Sequence, residues 1–215
     1  MMLNTNALQT GAAAYGLMLS DLQLQACDVL LRELNDWNQR MNLTAIRDPQ
    51  QQLTKHMLDS FSIHPYLNGT HITDVGTGAG FPGLPLALVN PEKQFTLIDS
   101  INKKLRFVQH AATAMQLANI SIEHVRAEAY RPDQRFDCVV SRALSSLQNF
   151  VGWCGHLCAP GGKLLAMKGR YPDDELKSLP KGWRVMAVHP IQVAGLDEQR
   201  HLVELCPDSN KNSKV

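Results

Sequence analysis

The 215-residue chain has no run of about 18 apolar residues, the length that a helix needs to cross a bilayer. Residues 1–10 contain no Lys or Arg, which is untypical of a secretory signal peptide. We therefore expect a soluble, cytoplasmic protein. Its length suits one main domain that buries a full core without help from disulfides or metals.

Cysteine is scarce, and the five cysteines are scattered along the chain. An odd number at irregular spacing argues against a disulfide framework. Cys154, His156 and Cys158 lie close enough together to suggest a zinc site, but no second ligand pair follows them. We expect small core residues on a helix here, and no metal.

Charge is low and nearly balanced, at +1, which alone indicates no nucleic-acid partner. Residues 101–170 nevertheless carry ten Lys or Arg against four Asp or Glu. A local basic surface would suit phosphate groups, although the same residues could simply solvate exposed helices.

The N-terminal 69 residues are predicted to form a helical extension. Residues 1–20 are a loose or helical lead-in. Ser20-Asp21 can cap a helix that begins near Leu22, and a second helix follows Pro49. We place the main domain at 70–207 and a flexible tail at 208–215.

From residue 71, short apolar runs alternate with helical segments, which favours right-handed βαβ units and a parallel sheet covered on both faces. The predicted strands are 71–75, 95–98, 120–125, 136–140 and 163–167, and the predicted helices are 82–89, 102–117 and 145–158. Residues 160–162 read as a tight turn. Two β-rich runs, 183–193 and 200–206, are joined by a turn at 195–197 and predict a closing antiparallel hairpin.

A glycine-rich loop follows the first predicted strand, with Asp74-Val75-Gly76-Thr77-Gly78-Ala79-Gly80-Phe81-Pro82-Gly83. Open α/β sheets bind ligands at the carboxyl ends of their strands, and glycines let the backbone approach a ligand closely. Asp99 ends the second strand, where its carboxylate can accept hydrogen bonds from both hydroxyls of a ribose.

Residues 78–83 match the dinucleotide fingerprint, whereas the longer pattern, an acid two residues before Gly-x-Gly-x-Gly, looks like methyltransferase motif I. Asp74 discriminates between them, because a carboxylate repels a diphosphate but attracts the ammonium group of S-adenosylmethionine. We therefore favour a methyltransferase over a nucleotide oxidoreductase or a plain structural turn.

Two kinds of methyltransferase are disfavoured. Enzymes that methylate exocyclic base amines usually carry Asn/Asp-Pro-Pro-aromatic after the fourth strand, where this chain has Ser141-Arg142-Ala143-Leu144. Cys138 lies inside a predicted strand without the neighbouring proline that is usual for a cytosine-C5 nucleophile.

Several segments together resemble the ribosomal RNA small subunit methyltransferase G family, also called glucose-inhibited division protein B. They are Trp37-Asn38, Asn42–Ile46, Lys55–Ser60, Asp74–Gly83, Arg126-Ala127-Glu128, Ser141-Arg142-Ala143, Ala166–Gly169 and Arg200-His201-Leu202. The match runs from about residue 20 to 207. It departs at Ala129, where a second acid often follows Glu128, and in the tail from Pro207.

The resemblance implies N7 methylation of one guanine in 16S rRNA with S-adenosylmethionine as donor, on a class I methyltransferase (Rossmann-like) fold with seven strands. It also implies cofactor contacts at Gly76, Phe81, Ala127, Glu128 and Arg142. With the residues of the loop pattern, the full predicted cofactor set is Asp74, Gly76, Gly78, Gly80, Phe81, Asp99, Ala127, Glu128 and Arg142. Phe81 could instead be ordinary core, and Glu128 a solvated turn residue.

Guanine N7 carries a free lone pair, so no general base is expected and positioning can supply much of the acceleration. Arg142 would sit near guanine O6, a phosphate or the cofactor carboxylate, because a donor on N7 would block the attack. His56 could contact substrate, or pair with Asp59 and only buttress the pocket. The candidate phosphate contacts are Lys103, Lys104, Arg106, Lys168 and Arg170.

The expected partner is 16S rRNA or an assembling small ribosomal subunit, and the chain is expected to act as a monomer. Trp37 is expected to anchor an N-terminal helix on the sheet rather than stack on a base. Two rival functions stay open: a small-molecule methyltransferase of the same fold, and a non-catalytic cofactor-binding protein associated with RNA.

Overall fold

A computed structural model describes residues 3–142 and 145–208. Its sheet has seven strands in the order β3-β2-β1-β4-β5-β7-β6. The strands are β1 His71–Val75, β2 Gln94–Asp99, β3 Ile120–His124, β4 Phe136–Arg142, β5 Cys158–Lys168, β6 Trp183–Ile191 and β7 Arg200–Pro207.

Strands β1 to β5 pair in parallel, and β7 lies between β5 and β6, antiparallel to both. The chain moves outward from β1 to β2 and β3, then returns to the other side of β1 for β4. Strand order therefore reverses beside β1, and the carboxyl ends of β1 and β4 flank the crevice where such sheets bind ligands.

Helices cover the sheet because its central strands are apolar on both faces. Within β2, Leu97 packs in a cluster with Leu84 and Phe107, whereas Ile98 packs on the opposite face with Phe150. The helices are α1 Thr5–Ala13, α2 Asp21–Met41, α3 Pro49–Gln52, α4 Asp59–Phe61, α5 Gly83–Val89, α6 Asn102–Ala114, α7 Leu147–Cys154 and α8 Asp173–Lys177, with a π-helix at Leu53–Leu58 between α3 and α4.

The start of α2 confirms the predicted cap. Ser20 accepts a hydrogen bond from the Gln23 backbone N–H, and the Gln23 side chain accepts one from the Ser20 N–H. This reciprocal capping box satisfies donors that the first helical turn would otherwise leave unpaired. Near its end, the Trp37 ring lies 5.8 Å from Phe107 and 5.1 Å from His110, so it packs α2 against α6, whereas an anchor on the sheet was expected.

Several predicted boundaries were wrong. The helix expected over 102–117 ends at Ala114, because Gln116 has the left-handed φ of 58°. The helix expected over 145–158 ends at Cys154, and Cys158 already belongs to β5.

The turn expected at 160–162 lies inside β5. Phe136 pairs with Cys158 and Cys138 with Lys163, so the residues between form a bulge in which Gly161 has a φ of 78°. The hairpin connection is also longer than the predicted turn, since β6 ends at Ile191 and β7 begins at Arg200.

Within residues 3–142 and 145–208, no helix is both long and apolar enough to span a membrane. In the same ranges, no three His, Cys, Asp or Glu side chains are grouped so that they could hold a metal ion. Cys154 and Cys158 are buried, and His156 Nε2 lies 2.9 Å from the Tyr130 carbonyl oxygen. Asp208 donates its N–H to the Gly182 carbonyl, whereas the rest of the predicted tail, 209–215, falls outside the described residues.

Candidate functional site

The glycine loop turns sharply at the carboxyl end of β1. Gly76, Gly78 and Gly80 have φ values of 70°, 59° and 81°, a left-handed conformation that side chains rarely allow. The N–H groups of Gly76 and Thr77 donate to the Ile98 carbonyl of β2, at 2.8 and 3.1 Å, and so fix the loop across two strands. A Cβ on Gly78 would meet nothing nearer than the Gly76 carbonyl oxygen at 3.9 Å, so this side of the loop is open.

The Asp74 side chain stabilises the glycine loop through hydrogen bonds. Its Oδ2 accepts hydrogen bonds from the Thr77 hydroxyl at 2.7 Å and the Gly83 N–H at 2.9 Å. Its Oδ1 is buried and has no partner among the described residues. Burial raises the pKa of Asp74 to about 6, because the interior disfavours the charged carboxylate. One oxygen thus shapes the loop, and the contact expected between Asp74 and the cofactor ammonium stays a prediction.

Asp99 is the last residue of β2, as predicted, and lies against the glycine loop. Its Oδ2 accepts the Gly78 N–H at 2.9 Å, and its Oδ1 accepts the Ile101 N–H at 2.8 Å. An ionised carboxylate offers about four acceptor positions, so about two are left for ribose hydroxyls.

The next strand brings a third part of the predicted cofactor set to the same edge. Asp99 pairs with His124 at the end of β3, and the short 3-10 turn Ala127–Ala129 follows. Ala127 is buried and Glu128 is exposed. An open glycine turn, an acid with spare acceptor positions and a nearby backbone turn fit the methionine, ribose and adenine parts of S-adenosylmethionine.

Arg142, the last residue of β4, reaches a cavity of about 410 Å³ lined by Ile46, Lys55, His56, Asp59, Arg142, Met167, Lys168, Gly169 and Arg200. Its Nη1 donates to the Lys55 carbonyl at 2.8 Å and to Asp59 Oδ2 at 3.2 Å. Its guanidinium carbon lies 5.6 Å from the centre of the Phe81 ring. These contacts hold Arg142 between the glycine loop and the cavity.

Asp59 binds two arginines at once. Its Oδ2 accepts from Arg142, and its Oδ1 accepts from Arg200 Nε at 3.2 Å. Arg200 Nη2 also lies 3.0 Å from Glu198, whose other oxygen is 2.6 Å from Lys55 Nζ. Three cations and two carboxylates therefore leave a net positive charge around the cavity.

His56 links the cavity to the loop through Phe81. The two rings stack with centroids 4.6 Å apart, and Phe81 is only 3% exposed. His56 Nε2 lies 3.1 Å from the Thr44 hydroxyl. Burial, with the charge of Arg142, lowers the pKa of His56 to about 3, so the ring is neutral at physiological pH. No hydrogen bond joins His56 to Asp59, so the alternative in which these two side chains pair was wrong.

The five candidate phosphate contacts do not form one cluster. Lys168 lines the cavity, but its Nζ lies 2.8 Å from Glu175, while Arg170 is exposed. The other three, Lys103, Lys104 and Arg106, lie on α6 after β2. Strands β2 and β5 are three positions apart in the sheet, about 14 Å at the usual strand spacing.

Sequence reasoning missed how the cavity is held together. Arg200 appeared only inside a motif, Asp59 was considered only as a partner of His56, and Lys55 was given no role. The available signal was the set of motif segments Lys55–Ser60, Ser141–Arg142 and Arg200–Leu202. These segments contain the residues that form the cavity, but they do not show which residue pairs with which.

A model of the rRNA small subunit methyltransferase G family matches residues 23–203. The chain belongs to this family. It is therefore an S-adenosylmethionine-dependent methyltransferase of ribosomal RNA, as the resemblance implied.

Two relatives named Ribosomal RNA small subunit methyltransferase G agree with this assignment. The protein from Marinobacter nauticus is 48% identical over 196 residues, which cover 91% of this chain and 92% of the relative. The protein from Aeromonas salmonicida is 44% identical over 189 residues, covering 88% and 91%.

Solved structures confirm the predicted class I methyltransferase fold. The glycopeptide N-methyltransferase MtfA complexed with S-adenosyl-L-homocysteine has a TM-score of 0.60 at 13% identity, covering 77% of this chain and 100% of that one. A SAM-dependent O-methyltransferase from Thermotoga maritima has a TM-score of 0.54 at 16% identity, covering 81% and 72%. At such identities the likeness concerns the fold alone.

Proposed function

We propose that this chain transfers the methyl group of S-adenosylmethionine to N7 of one guanine in 16S rRNA. Membership of the methyltransferase G family supports the RNA substrate. The observation that carries the choice of N7 is the cavity beside Arg142, whose polar residues are arginines, lysines, a weakly basic histidine and an occupied carboxylate.

Bound S-adenosylmethionine would supply an electrophilic methyl group on a sulfonium. Asp74 and the glycine loop, Gly76, Gly78 and Gly80, would hold its methionine part, and Asp99 its ribose. Ala127 and Glu128 would lie beside the adenine. Phe81 and Arg142 would flank the junction at which the sulfonium methyl group meets the base.

The cavity suits an acceptor atom that has no proton to lose. His56 has a pKa of about 3 and is a poor base at neutral pH, and both oxygens of Asp59 already accept from arginines. N7 attacks through its own lone pair, and the positive charge moves from sulfur to the base instead of being created. The protein therefore has to supply position rather than proton transfer.

Recognition of guanine would use the arginines that Asp59 holds. The two hydrogen bonds of Arg142 both come from Nη1, so its other N–H donors can reach guanine O6. Adenine presents an amino group at that position, which an arginine cannot bind as a donor. Arg142 thus acts by positioning and selecting the base.

Phosphate groups of the RNA would be bound by Lys103, Lys104 and Arg106 near the cofactor, and by Arg170 and Lys168 beyond β5. His56, as part of the cavity lining, would contact the substrate there. We take the active species to be a monomer, since both sites are built from one chain. A ribosomal RNA substrate would place the protein in the cytoplasm, and no metal is needed for the reaction.

The deciding experiment offers radiolabelled S-adenosylmethionine with small ribosomal subunits that lack N7-methylguanine, and in parallel with naked 16S rRNA. Label recovered as N7-methylguanine at one site supports the proposal, and the better substrate tells whether a particle is required. Cofactor binding without label on either RNA would refute the RNA substrate, and small molecules would be tried next.

Arg142 is tested with Arg142→Lys and Arg142→Ala. Lysine keeps the charge but cannot reproduce the planar donor geometry, so both variants should lose kcat/KM on subunits. Wild-type activity in Arg142→Ala would contradict the positioning role. For the basic residues, each lost phosphate contact should reduce the salt slope of RNA binding by about 0.7 to 1.

A further inference from the structure

An exposed aromatic ring lies in the loop after β5, two residues from Gly169 of the cavity lining. Tyr171 is 48% exposed, whereas every other Phe, Trp and Tyr in the described ranges is buried or half-buried. Gly169, two residues earlier, lines the cavity itself. His201, which contacts the ring, directly follows Arg200 of the same lining, so Tyr171 lies close to the cavity without lining it.

Local contacts hold the ring in place without covering it. The rings of Tyr171 and His201 are 5.5 Å apart and almost perpendicular, at 89°. His201 Nδ1 is in turn 3.2 Å from the Gly169 carbonyl oxygen. Because an edge-to-face contact covers at most one face of a ring, Tyr171 keeps at least one face on which a flat group can stack.

The charges around Tyr171 limit how much RNA can bind there. Arg170 is exposed and has no ion pair within the described residues, so a phosphate is favoured on that side. Helix α8 follows with Asp173, Asp174 and Glu175, which disfavour a phosphate on the other side. The surface thus suits one base rather than a continuing strand.

We propose that Tyr171 stacks on one unpaired base of the RNA substrate, next to the guanine that enters the cavity. This inference rests on the proposed function, because the occupant is the same RNA. Every base has a π-face, so stacking on an aromatic ring tolerates sequence. A base next to one that has been taken out of its stack has lost a neighbour, and Tyr171 replaces it. Tyr171 acts on substrate affinity and does not touch the reacting atoms.

The test compares Tyr171→Leu, which keeps apolar volume without a ring, with Tyr171→Phe, which keeps the ring. Met186→Ala is the control, because Met186 is 51% exposed but lies on β6, away from the cavity lining. KM for undermethylated small subunits should rise about 5- to 150-fold in Tyr171→Leu, the effect expected for one stacked base. It should stay near the wild-type value in Tyr171→Phe and Met186→Ala, with kcat and S-adenosylmethionine affinity unchanged in all three.

A wild-type KM in Tyr171→Leu would overturn the proposal, as would an equal rise in Tyr171→Phe. Failure of wild-type protein to methylate the subunits would instead refute the proposed function. If Tyr171→Leu does not fold, ultraviolet crosslinking of wild-type protein to subunits decides. A crosslink between Tyr171 and a nucleotide adjacent to the methylated guanine supports the stack, and crosslinks confined to other peptides overturn it.

Discussion

Asp59→Ala is the perturbation that best tests how the cavity is built. The Asp59 side chain is 4% exposed, while those of Arg142 and Arg200 are 21% and 18% exposed. Removing the carboxylate leaves two largely buried guanidinium groups without their shared counter-ion. We therefore expect loss of stability and loss of activity together.

The size of the effect follows from what each arginine retains. Removing one partner of a buried ion pair costs about 3–5 kcal/mol. Arg142 keeps the Lys55 carbonyl at 2.8 Å, Arg200 keeps the Gln199 carbonyl at 2.9 Å, and both can reach some water. The lower end, about 3 kcal/mol, applies. In a chain of this length it corresponds to a fall in Tm of about 6–12 °C.

The assay is thermal unfolding of Asp59→Ala beside Asp174→Ala. Asp174 is paired with Lys177, but both side chains are in solvent, so this control should unfold with the wild type. Equal Tm values for the two variants would refute the reasoning, because Asp59 would then hold the arginines no more firmly than a surface carboxylate. Methyl transfer to small subunits should fall in Asp59→Ala and not in Asp174→Ala.

Three further predictions concern the loop and the cavity wall. Burial raises the pKa of Asp74 from 3.8 to about 6, so the folded state favours the protonated acid, and this stabilisation is lost as pH rises from 3.8 to 6. Asp74→Asn should therefore reduce the fall in Tm between about pH 4 and 6. An unchanged dependence of Tm on pH would contradict this. The pKa of His56 is lowered from 6.5 to about 3, so the stability that its neutral ring contributes is lost as pH falls from 6.5. His56→Gln should remove this part of the fall in Tm at acid pH. A dependence of Tm on pH like that of the wild type would count against a neutral buried ring. Gly80 and Gly161 both have a left-handed φ, but only a Cβ at Gly80 would press on Leu84. In urea unfolding, Gly80→Ala should therefore lose about 1–3 kcal/mol more unfolding free energy than Gly161→Ala. Equal losses would show that the clash with Leu84 is relieved.

The glycine loop and its acids could be predicted because their pattern is local. Left-handed turns favour glycine, and successive parallel strands put their carboxyl ends at one edge, which places Asp99 near Gly78. The extents of β1 and α5 were predicted almost to the residue for the same reason. The division of the chain at residues 69 and 70 stays a prediction.

The cavity could not be predicted, because its contacts join residues far apart in sequence. Asp59 meets Arg142 across 83 positions and Arg200 across 141, and no period or spacing encodes such a pairing. The bulge in β5 was missed for a related reason. Pro160, Gly161 and Gly162 are turn residues by composition, and only the pairing of Cys158 and Lys163 with β4, before and after them, keeps them within a strand.

The position of β7 has a consequence for how the protein matures during synthesis. This strand is made after the other six, yet it inserts between β5 and β6, and its first residue is Arg200. Until β7 is made, β6 has no neighbour in the sheet and Asp59 lacks one of its two arginines. Arg200 is therefore the last of the cavity-lining residues to be synthesised, and both oxygens of Asp59 are paired only once the final strand is in place.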